Sequence, residues 1–369
     1  MLIARLFSKI YKEGGIILTD HLGQKYICGT PDRDKPLILK ILNKKLNWKL
    51  LINPDLSFPE AYVDGDIKIE NGSLLDFLNL TFKNLGRNET NTAGYLIKKI
   101  LHVWRFITNY NLPTKSQKNV EHHYDIGEDL YNLFLDKKHR QYSCGYWKSP
   151  NDTLEQAQQN KINHIIKKID LHPGQKVLDI GCGWGGMCFE IVRQSECEVT
   201  GITLSKNQYE YCVKKSKELK LDNQCHFKLL DYRKIEGKFQ RIVSVGFLEH
   251  TGRKFYKTFF KKLNNLMTDD GISLIHTIGS TEPKSPPQPW ISANIFPGGL
   301  VPSGSDLIDA IEKTGLVLAD MESLIRHYDK TLKAWLDGFL KNREKAKNMY
   351  SERFCKMWEF YLASCSSAF

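Results

Sequence analysis

Val177-Leu178-Asp179-Ile180-Gly181-Cys182-Gly183-Trp184-Gly185-Gly186 is an apolar run that closes on an acidic residue and then breaks into glycines at alternate positions. Glycines so placed let the backbone turn tightly and approach a ligand where a Cβ would collide, and Asp179 can accept hydrogen bonds that fix the loop. From Lys176 onward apolar runs and helical spacings alternate. Strands are expected at 176–180, 198–202, 225–230, 241–247 and 271–278, with helices at about 185–194, 205–219, 254–267 and 305–314. That alternation predicts an α/β fold, a parallel sheet with helices on both faces and ligands at the carboxyl ends of the strands. The chemistry is therefore expected just after each strand.

The loop is not a dinucleotide fingerprint. Its spacing is GxGxG where GxGxxG is required, and the second strand closes on Gly201-Ile202-Thr203 with no acidic residue. No phosphate-gripping Lys-Ser/Thr follows, which disfavours a nucleoside triphosphate. Thr203 stands at the end of the second strand. Ser205-Lys206-Asn207-Gln208 reads two ways, as a capping box that ties up the start of a helix or as the source of a ribose contact through Gln208. Asp231-Tyr232 follows the third strand, where an adenine would lie and an aromatic face can stack on it. Trp184 reads equally well as core and receives no role.

Upstream of the loop, Asp152 with Glu155 is a cap signal for a helix whose Ile162, Ile165, Ile166 and Ile169 share a face, and Pro173-Gly174 ends it. Ile16 to Cys28 reads as two short apolar runs around Asp20-His21-Leu22-Gly23, a hairpin. A third apolar run, Trp48 to Ile52, ends at Asn53-Pro54. Ser73 and Asp76 then cap a segment with Leu74, Leu75, Phe77, Leu78, Phe82 and Leu85 on helical spacing. Residues 1–85 are thus a small α+β unit, and the polar stretch from Asn84 to Ala93 suits a linker.

The 369 residues carry 41% hydrophobic and 26% charged side chains, the balance of a globular protein of roughly two domains. Net charge is +11, and residues 1–120, with 18 basic and 11 acidic side chains, hold +7 of it. A basic front end favours an anionic partner, nucleic acid or a phospholipid surface. Between Tyr95 and Val120 lie Lys98, Lys99, Arg105, Lys115 and Lys118 with no acidic residue, interleaved with Trp104, Phe106 and Tyr110. This reads as an interfacial membrane helix or as a helix packed on its own protein with a solvated basic side. No stretch approaches the roughly 18 apolar residues of a spanning helix, and MLIARLFSKIYKEGG is too short for a secretory signal. Nine cysteines, an odd number with no CxxC pair, fit a reduced cytoplasmic chain without structural metal.

The hhhDhGxGxG loop resembles that of S-adenosylmethionine methyltransferases. More motifs occur in order: His122-His123-Tyr124-Asp125-Ile126-Gly127, Gln141-Tyr142-Ser143-Cys144-Gly145-Tyr146-Trp147, Gly201-Ile202-Thr203-Leu204-Ser205, Gly246-Phe247-Leu248-Glu249-His250, Phe296-Pro297-Gly298-Gly299 and Arg326-His327-Tyr328. Together they resemble the cyclopropane-fatty-acyl-phospholipid synthases from about residue 50 onward, and Pro59-Glu60-Ala61-Tyr62-Val63-Asp64-Gly65 is similar to the extra N-terminal domain of their long bacterial form. The resemblance implies a Rossmann-like class I methyltransferase sheet over residues 121–369, a smaller lipid- or membrane-associated domain over 1–85 and a basic linker helix over 86–120.

It also implies a reaction. The sulfonium methyl of S-adenosylmethionine adds across a cis double bond of an acyl chain esterified in a phospholipid, and a proton leaves as the ring closes. An alkene is a poor nucleophile, so the methyl must be delivered at close range in a dry pocket. By the same resemblance a bicarbonate takes the proton, held by Cys144, Glu249, His276 and Tyr328 with the backbone at Ile278. Tyr142, Ser143, Asp179, Gly181, Gly183, Gly185, Thr203, Gln208, Asp231 and Tyr232 hold the cofactor. Cys365, in Tyr361-Leu362-Ala363-Ser364-Cys365, joins the active site by the same comparison, although nothing in the reaction needs a thiolate. From the residues alone, Glu249 and His276 follow the fourth and fifth parallel strands and can enter one crevice. Taken by itself His276 also reads as a core histidine. The implied partners are an unsaturated phospholipid, the inner face of the cell membrane, on which the chain sits peripherally, and a second copy in a homodimer, with no nucleic acid.

One departure stands out. A methyltransferase sheet ends with two further strands; Leu316 to Leu324 supplies the sixth, and the chain stops at Ser366-Ser367-Ala368-Phe369 with no segment for the last. The sheet is expected to lack that strand, at a cost of about 1–3 kcal/mol for each buried backbone group left unpaired. Three readings stay open at this point: a lipid cyclopropanating enzyme, a methyltransferase of the same fold acting on another lipid or small molecule, and an inactive lipid-binding remnant. The Asn/Asp-Pro-Pro-aromatic motif of base methylation is absent, which disfavours nucleic acid.

Overall fold

The computed structural model describes residues 1–87, 127–281 and 287–369. The basic segment Tyr95–Val120 and the motif from His122 to Ile126 lie outside the described residues. The chain divides into two compact units, one of Met1–Gln117, Gln288–Pro297 and Leu332–Phe369, the other of Lys118–Pro287 and Gly298–Thr331. This division departs from a single boundary near residue 85.

In the first unit, helix α1 (Leu2–Ile10) precedes the hairpin β1 (Gly15–Thr19) and β2 (Lys25–Gly29), which turns at Asp20–Gly23 as expected. The Asp20 carboxylate accepts the amides of Leu22 and Gln24, which closes the turn. Strand β3 (Ile38–Ile41) runs parallel to β1, so the sheet order is β2-β1-β3-β4 with β4 at Ile67–Glu70. The apolar run Trp48–Ile52 is helical, forming α2 (Leu46–Ile52), because Leu46 and Leu50 are buried four residues apart. Helix α3 (Pro54–Asp64) starts with proline in its first turn and stops at Gly65, whose φ of 84° suits glycine. Helix α4 (Leu74–Arg87) is capped by Ser73 and Asp76, which hydrogen-bond each other reciprocally.

The late segments join this unit for a packing reason. The helix Glu352–Ala368 buries Trp358, Phe360, Tyr361 and Leu362. Phe360 meets Trp290 at 4.9 Å and Phe58 of α3 at 6.1 Å between ring centroids, and Phe58 stacks on Phe77 of α4. Glu359 accepts the Tyr62 hydroxyl and pairs with Arg343, which also forks onto Glu352. Aromatic burial on this scale, about 1.5–3 kcal/mol per side chain, outweighs sequence proximity.

The second unit is built on α5 (Leu154–Lys168), β5 (Lys176–Ile180), α6 (Gly186–Ser195), β6 (Glu198–Thr203), α7 (Lys206–Glu218), β7 (Cys225–Leu229), β8 (Phe239–Val245), α8 (Tyr256–Leu266) and β9 (Met267–His276). All pairings are parallel, in the order β7-β6-β5-β8-β9. Strand residues alternate between two cores. Val177, Val199 and Val243 pack with Ile162 and Ile165 of α5 and Met187 and Ile191 of α6, while Leu178, Ile202 and Ile242 pack with Phe259 and Leu263 of α8 and Ala310 of α9 (Gly304–Glu312). This is the expected α/β sandwich. Strand order reverses on either side of β5, so its carboxyl end is the topological switch point.

Two details differ from the sequence reading. The cap of α5 is Thr153, boxed with Gln156, while Asp152 accepts the amides of Lys148 and Ser149. Leu316–Leu324 forms no strand: Asp320 pairs with Lys168, and Glu322 reaches Lys168 at 2.6 Å and His164 at 2.7 Å. These pairs fasten the segment to α5, and Val317 is left 89% exposed. The end of the chain is helical, in Glu352–Ala368. Among the described residues no helix is long and apolar enough to cross a membrane.

Candidate active site

The glycine loop leaves β5 at the switch point. Gly181, Gly183 and Gly185 have φ of 80°, 55° and 79°, and their neighbours separate their roles. A Cβ on Gly181 would lie 2.8 Å from Phe247 and one on Gly185 3.0 Å from Cys212 Sγ, so these two are held by packing. A Cβ on Gly183 would meet nothing within 4 Å. That open space at Gly183 is a cradle that a cofactor's amino-acid end can fill, so the loop fits the implied S-adenosylmethionine. Asp179 lies beneath it with Oδ2 accepting from Cys188 Sγ at 3.3 Å, while Oδ1 is buried without a partner. Burial pushes its carboxyl up to about 8.

At the ends of the next strands the structure handles the implied contacts differently. Thr203 donates its hydroxyl to Gln208 Oε1 at 2.9 Å. Ser205 caps α7 by accepting the Gln208 amide, but the Gln208 side chain does not return to Ser205, so the capping box is only half made. Asp231 accepts a forked pair from Arg233 at 2.9 and 2.6 Å, which holds its carboxyl below the usual range. Tyr232 is buried and makes T-shaped ring contacts with Phe247 and Phe259. Trp184 is core too, meeting Tyr131 and Tyr211 edgewise.

The segment carrying Tyr142, Ser143 and Cys144 is shaped from below. Asp136, fully buried, accepts the amides of His139, Arg140 and Gln141 at 2.6, 3.1 and 2.8 Å, and Arg140 takes a φ of 50° in that turn. Helix α5 grips the residues just beyond that turn. Lys161 Nζ donates to Gln141 Oε1 at 2.6 Å and to Ser143 Oγ at 2.8 Å, and Gln158 Nε2 donates to the Ser143 carbonyl at 2.9 Å. Tyr142 packs edge-on against Tyr131 and Phe134. Burial pulls the Lys161 ammonium down to about 7 against the attraction of Asp136, Cys144 and Asp179. The sequence reading missed Lys161 and Gln158. Both lie on the stripe of Ile162 and Ile165, and polar residues inside an apolar helical stripe were the available signal.

Cys144 is buried with Sγ 3.3 Å from the Gly145 carbonyl oxygen, and burial pushes its thiol up to about 12. It is a neutral thiol. Gly145 donates its amide to Thr331 Oγ1, and Trp147 donates its amide to His327 Nδ1 at 2.9 Å. Tyr146 is sandwiched between His164 and His327 at centroid distances of 4.4 and 4.7 Å. The Arg326-His327-Tyr328 motif therefore anchors the start of α10 (Ile325–Lys341), which places Tyr328 in its first turn.

Glu249 and His276 come from neighbouring strands. Val245 pairs with His276 across β8 and β9, and Glu249 follows in a short 3₁₀ turn, Leu248–His250. Glu249 is buried; its Oε1 accepts the Ile278 amide at 2.7 Å, and its Oε2 has no partner. Burial raises its carboxyl pKa. His276 Nδ1 is also buried without a partner, and burial together with the Lys161 charge lowers the ring to about 4. The Ile278 amide is thus committed to Glu249. Cys365 lies in the first unit, in Glu352–Ala368, and burial pushes its thiol up to about 12.

Comparison with known proteins places this arrangement. The family described as "Mycolic acid cyclopropane synthetase" matches residues 112–369. The cyclopropane-fatty-acyl-phospholipid synthase of Escherichia coli (strain K12) is 35% identical over 337 residues, covering 90% of this chain and 85% of the relative. Among solved structures, the cyclopropane synthase MmaA2 from Mycobacterium tuberculosis superposes with a TM-score of 0.63 at 32% identity, covering 69% of this chain and 94% of that one. The mycolic acid cyclopropane synthase CmaA1, complexed with SAH and CTAB, gives 0.63 at 32% identity over 68% of this chain and 92% of its own.

Proposed function

The chain belongs to the cyclopropane synthase family of class I methyltransferases, and from that premise we propose that it converts cis double bonds of phospholipid acyl chains into cyclopropane rings. One observation carries the assignment of the chemistry. Glu249 Oε2 and His276 Nδ1 are two buried polar atoms without partners, on residues at the carboxyl ends of adjacent strands beside the switch point. Such orphans cost about 1–3 kcal/mol each unless something binds them.

S-adenosylmethionine, bound along the Gly181–Gly185 loop, supplies an electrophilic methyl group. Asp179, Thr203, Gln208 and Asp231 would contact it along the strand ends, and Tyr142 and Ser143 from the segment that Lys161 and Gln158 hold through Gln141 and Ser143. Glu249 Oε2 would take the departing proton on from the bicarbonate base, since its raised pKa favours the protonated carboxyl more than an exposed glutamate would. His276 stays neutral near pH 7 and offers Nδ1 as a hydrogen-bond partner. Cys144, Glu249, His276 and Tyr328, with the backbone at Ile278, would hold a bicarbonate, which supplies a mobile base. Because the Ile278 amide already serves Glu249, that anion would be held through side chains. Cys144 acts as a thiol, and Cys365 takes no part in bond changes.

Work on an acyl chain within a bilayer requires contact with the membrane. Peripheral attachment to its inner face and a homodimeric state belong to the same reading. Incubation with S-adenosylmethionine and unsaturated phosphatidylglycerol vesicles is expected to yield cyclopropane acyl chains; acyl chains left unaltered by an otherwise folded, cofactor-binding protein would overturn it.

A further inference from the structure

Helix α2 of the first unit turns outward what a helix ordinarily turns inward. Leu46 and Leu50 occupy the core, yet Trp48 is 63% exposed, Ile52 58% and Leu42, just before the helix, 46%. Lys45, Trp48, Lys49 and Ile52 form one exposed stripe at helical spacing. Along the chain the charge here has one sign, although the Asp66 carboxylate accepts from Asn43 Nδ2 at 2.9 Å just before α2. Five lysines and no acidic residue lie between Lys35 and Pro54. Lys44, Lys45 and Lys49 are exposed, and none of them makes an ion pair among the described residues. Helix α1, which packs on α2, also exposes Leu2, Arg5, Leu6 and Lys9, with no acidic residue before Glu13.

We propose that the α2 surface centred on Trp48 and Ile52 is a docking surface for an anionic phospholipid bilayer. Trp48, Ile52 and Leu42 enter the boundary between head groups and acyl chains, and Lys44, Lys45 and Lys49 meet lipid phosphates. Apolar burial and attraction to anionic head groups then add, and an indole is well suited to the interface. A second copy is a poorer occupant, because a two-fold contact would set this lysine cluster near itself. Ile52 and Leu42 offer a nucleic acid nothing to stack on. The inference rests on the reading of the chain as an enzyme of membrane lipids and can fail separately from it.

The test uses the full chain and sedimentation with vesicles of phosphatidylglycerol and phosphatidylethanolamine, or of phosphatidylcholine alone. The double variant Trp48→Ser, Ile52→Ser is expected to lower partitioning onto the anionic vesicles at least tenfold. The triple variant Lys44→Gln, Lys45→Gln, Lys49→Gln is expected to lose the preference for anionic over zwitterionic vesicles together with the salt sensitivity of binding. Both should keep the parent melting temperature, since the side chains are exposed, and parent turnover of unsaturated phospholipid dispersed in detergent micelles. Parent-like partitioning of either variant overturns the proposal, as does a change in oligomeric state with vesicle binding intact. If the parent binds vesicles in this pattern yet turns over no lipid in micelles, docking is supported and the assigned activity fails.

Discussion

Glu249 Oε1 accepts the main-chain N–H of Ile278 at 2.7 Å, which ties the turn after β8 to the residues just beyond β9. The second carboxylate oxygen is left buried without a partner, and so is Nδ1 of His276, which pairs with Val245 across the same two strands. One contact therefore fixes the geometry and frees the neighbouring atom for chemistry.

Glu249→Gln separates these two uses. The amide oxygen of glutamine can still accept from Ile278, but the side chain can no longer hold a proton. Turnover is expected to fall about 10²–10⁴-fold, the usual contribution of a positioned acid or base. Calorimetry should show cofactor binding retained, and full turnover in the variant would remove Glu249 from the reaction.

Lys161→Met removes the donors to Gln141 Oε1 and Ser143 Oγ while preserving most of the side-chain volume. Replacing a buried charge by an apolar isostere is often tolerated for stability. The expected loss is in cofactor affinity, about tenfold or 1.4 kcal/mol, through the slackened Tyr142–Ser143 segment. Titration calorimetry reads it, and an unchanged Kd would leave Lys161 as packing alone.

Two glycines of the loop should fail in different ways. A Cβ on Gly186 would stand 2.3 Å from the His139 carbonyl oxygen, so Gly186→Ala must displace backbone and is expected to lower the melting temperature sharply. Gly183→Ala meets nothing within 4 Å and carries only the strain of a φ of 55°, about 1 kcal/mol. It should fold and lose cofactor binding about tenfold or more, because the methyl group occupies the cradle. Equal behaviour of the two variants in thermal melts would contradict this division.

His276 makes stability depend on acidity. Its folded-state pKa is about 4 against an ordinary 6.5, so the unfolded chain takes up a proton first as pH falls. Its contribution is intact above pH 6.5 and is lost between there and pH 4. The melting temperature should decline across that window, and less steeply in His276→Gln. Matching slopes in the two proteins would place the proton uptake elsewhere.

The sheet was legible in the sequence because strand-like and helical spacings alternate and Gly181, Gly183 and Gly185 mark the switch point, although β7 carries His226 and Lys228 and β9 starts at Met267, ahead of the expected residue 271. Glu249 and His276 followed from their places at the carboxyl ends of β8 and β9, Glu249 just beyond its strand and His276 as the last residue of its own. Leu316–Leu324 was misread because its alternation looks like a strand, whereas Asp320 and Glu322 are drawn to Lys168 and His164, more than 150 positions away in sequence. The helix Glu352–Ala368, within the expected domain of residues 121–369, belongs to the first unit because its contacts with Phe58 and Tyr62 leave no local trace in the sequence.

The most direct measurement supplies S-adenosylmethionine with a fully deuterated methyl group and vesicles of cis-unsaturated phosphatidylglycerol, and reads the acyl chains by mass spectrometry. Ring formation predicts a product that retains two of the three deuterons, since one leaves with closure, and that no longer contains the double bond. A product retaining all three deuterons as a methyl branch, or label on an amine with the double bond intact, would contradict cyclopropanation.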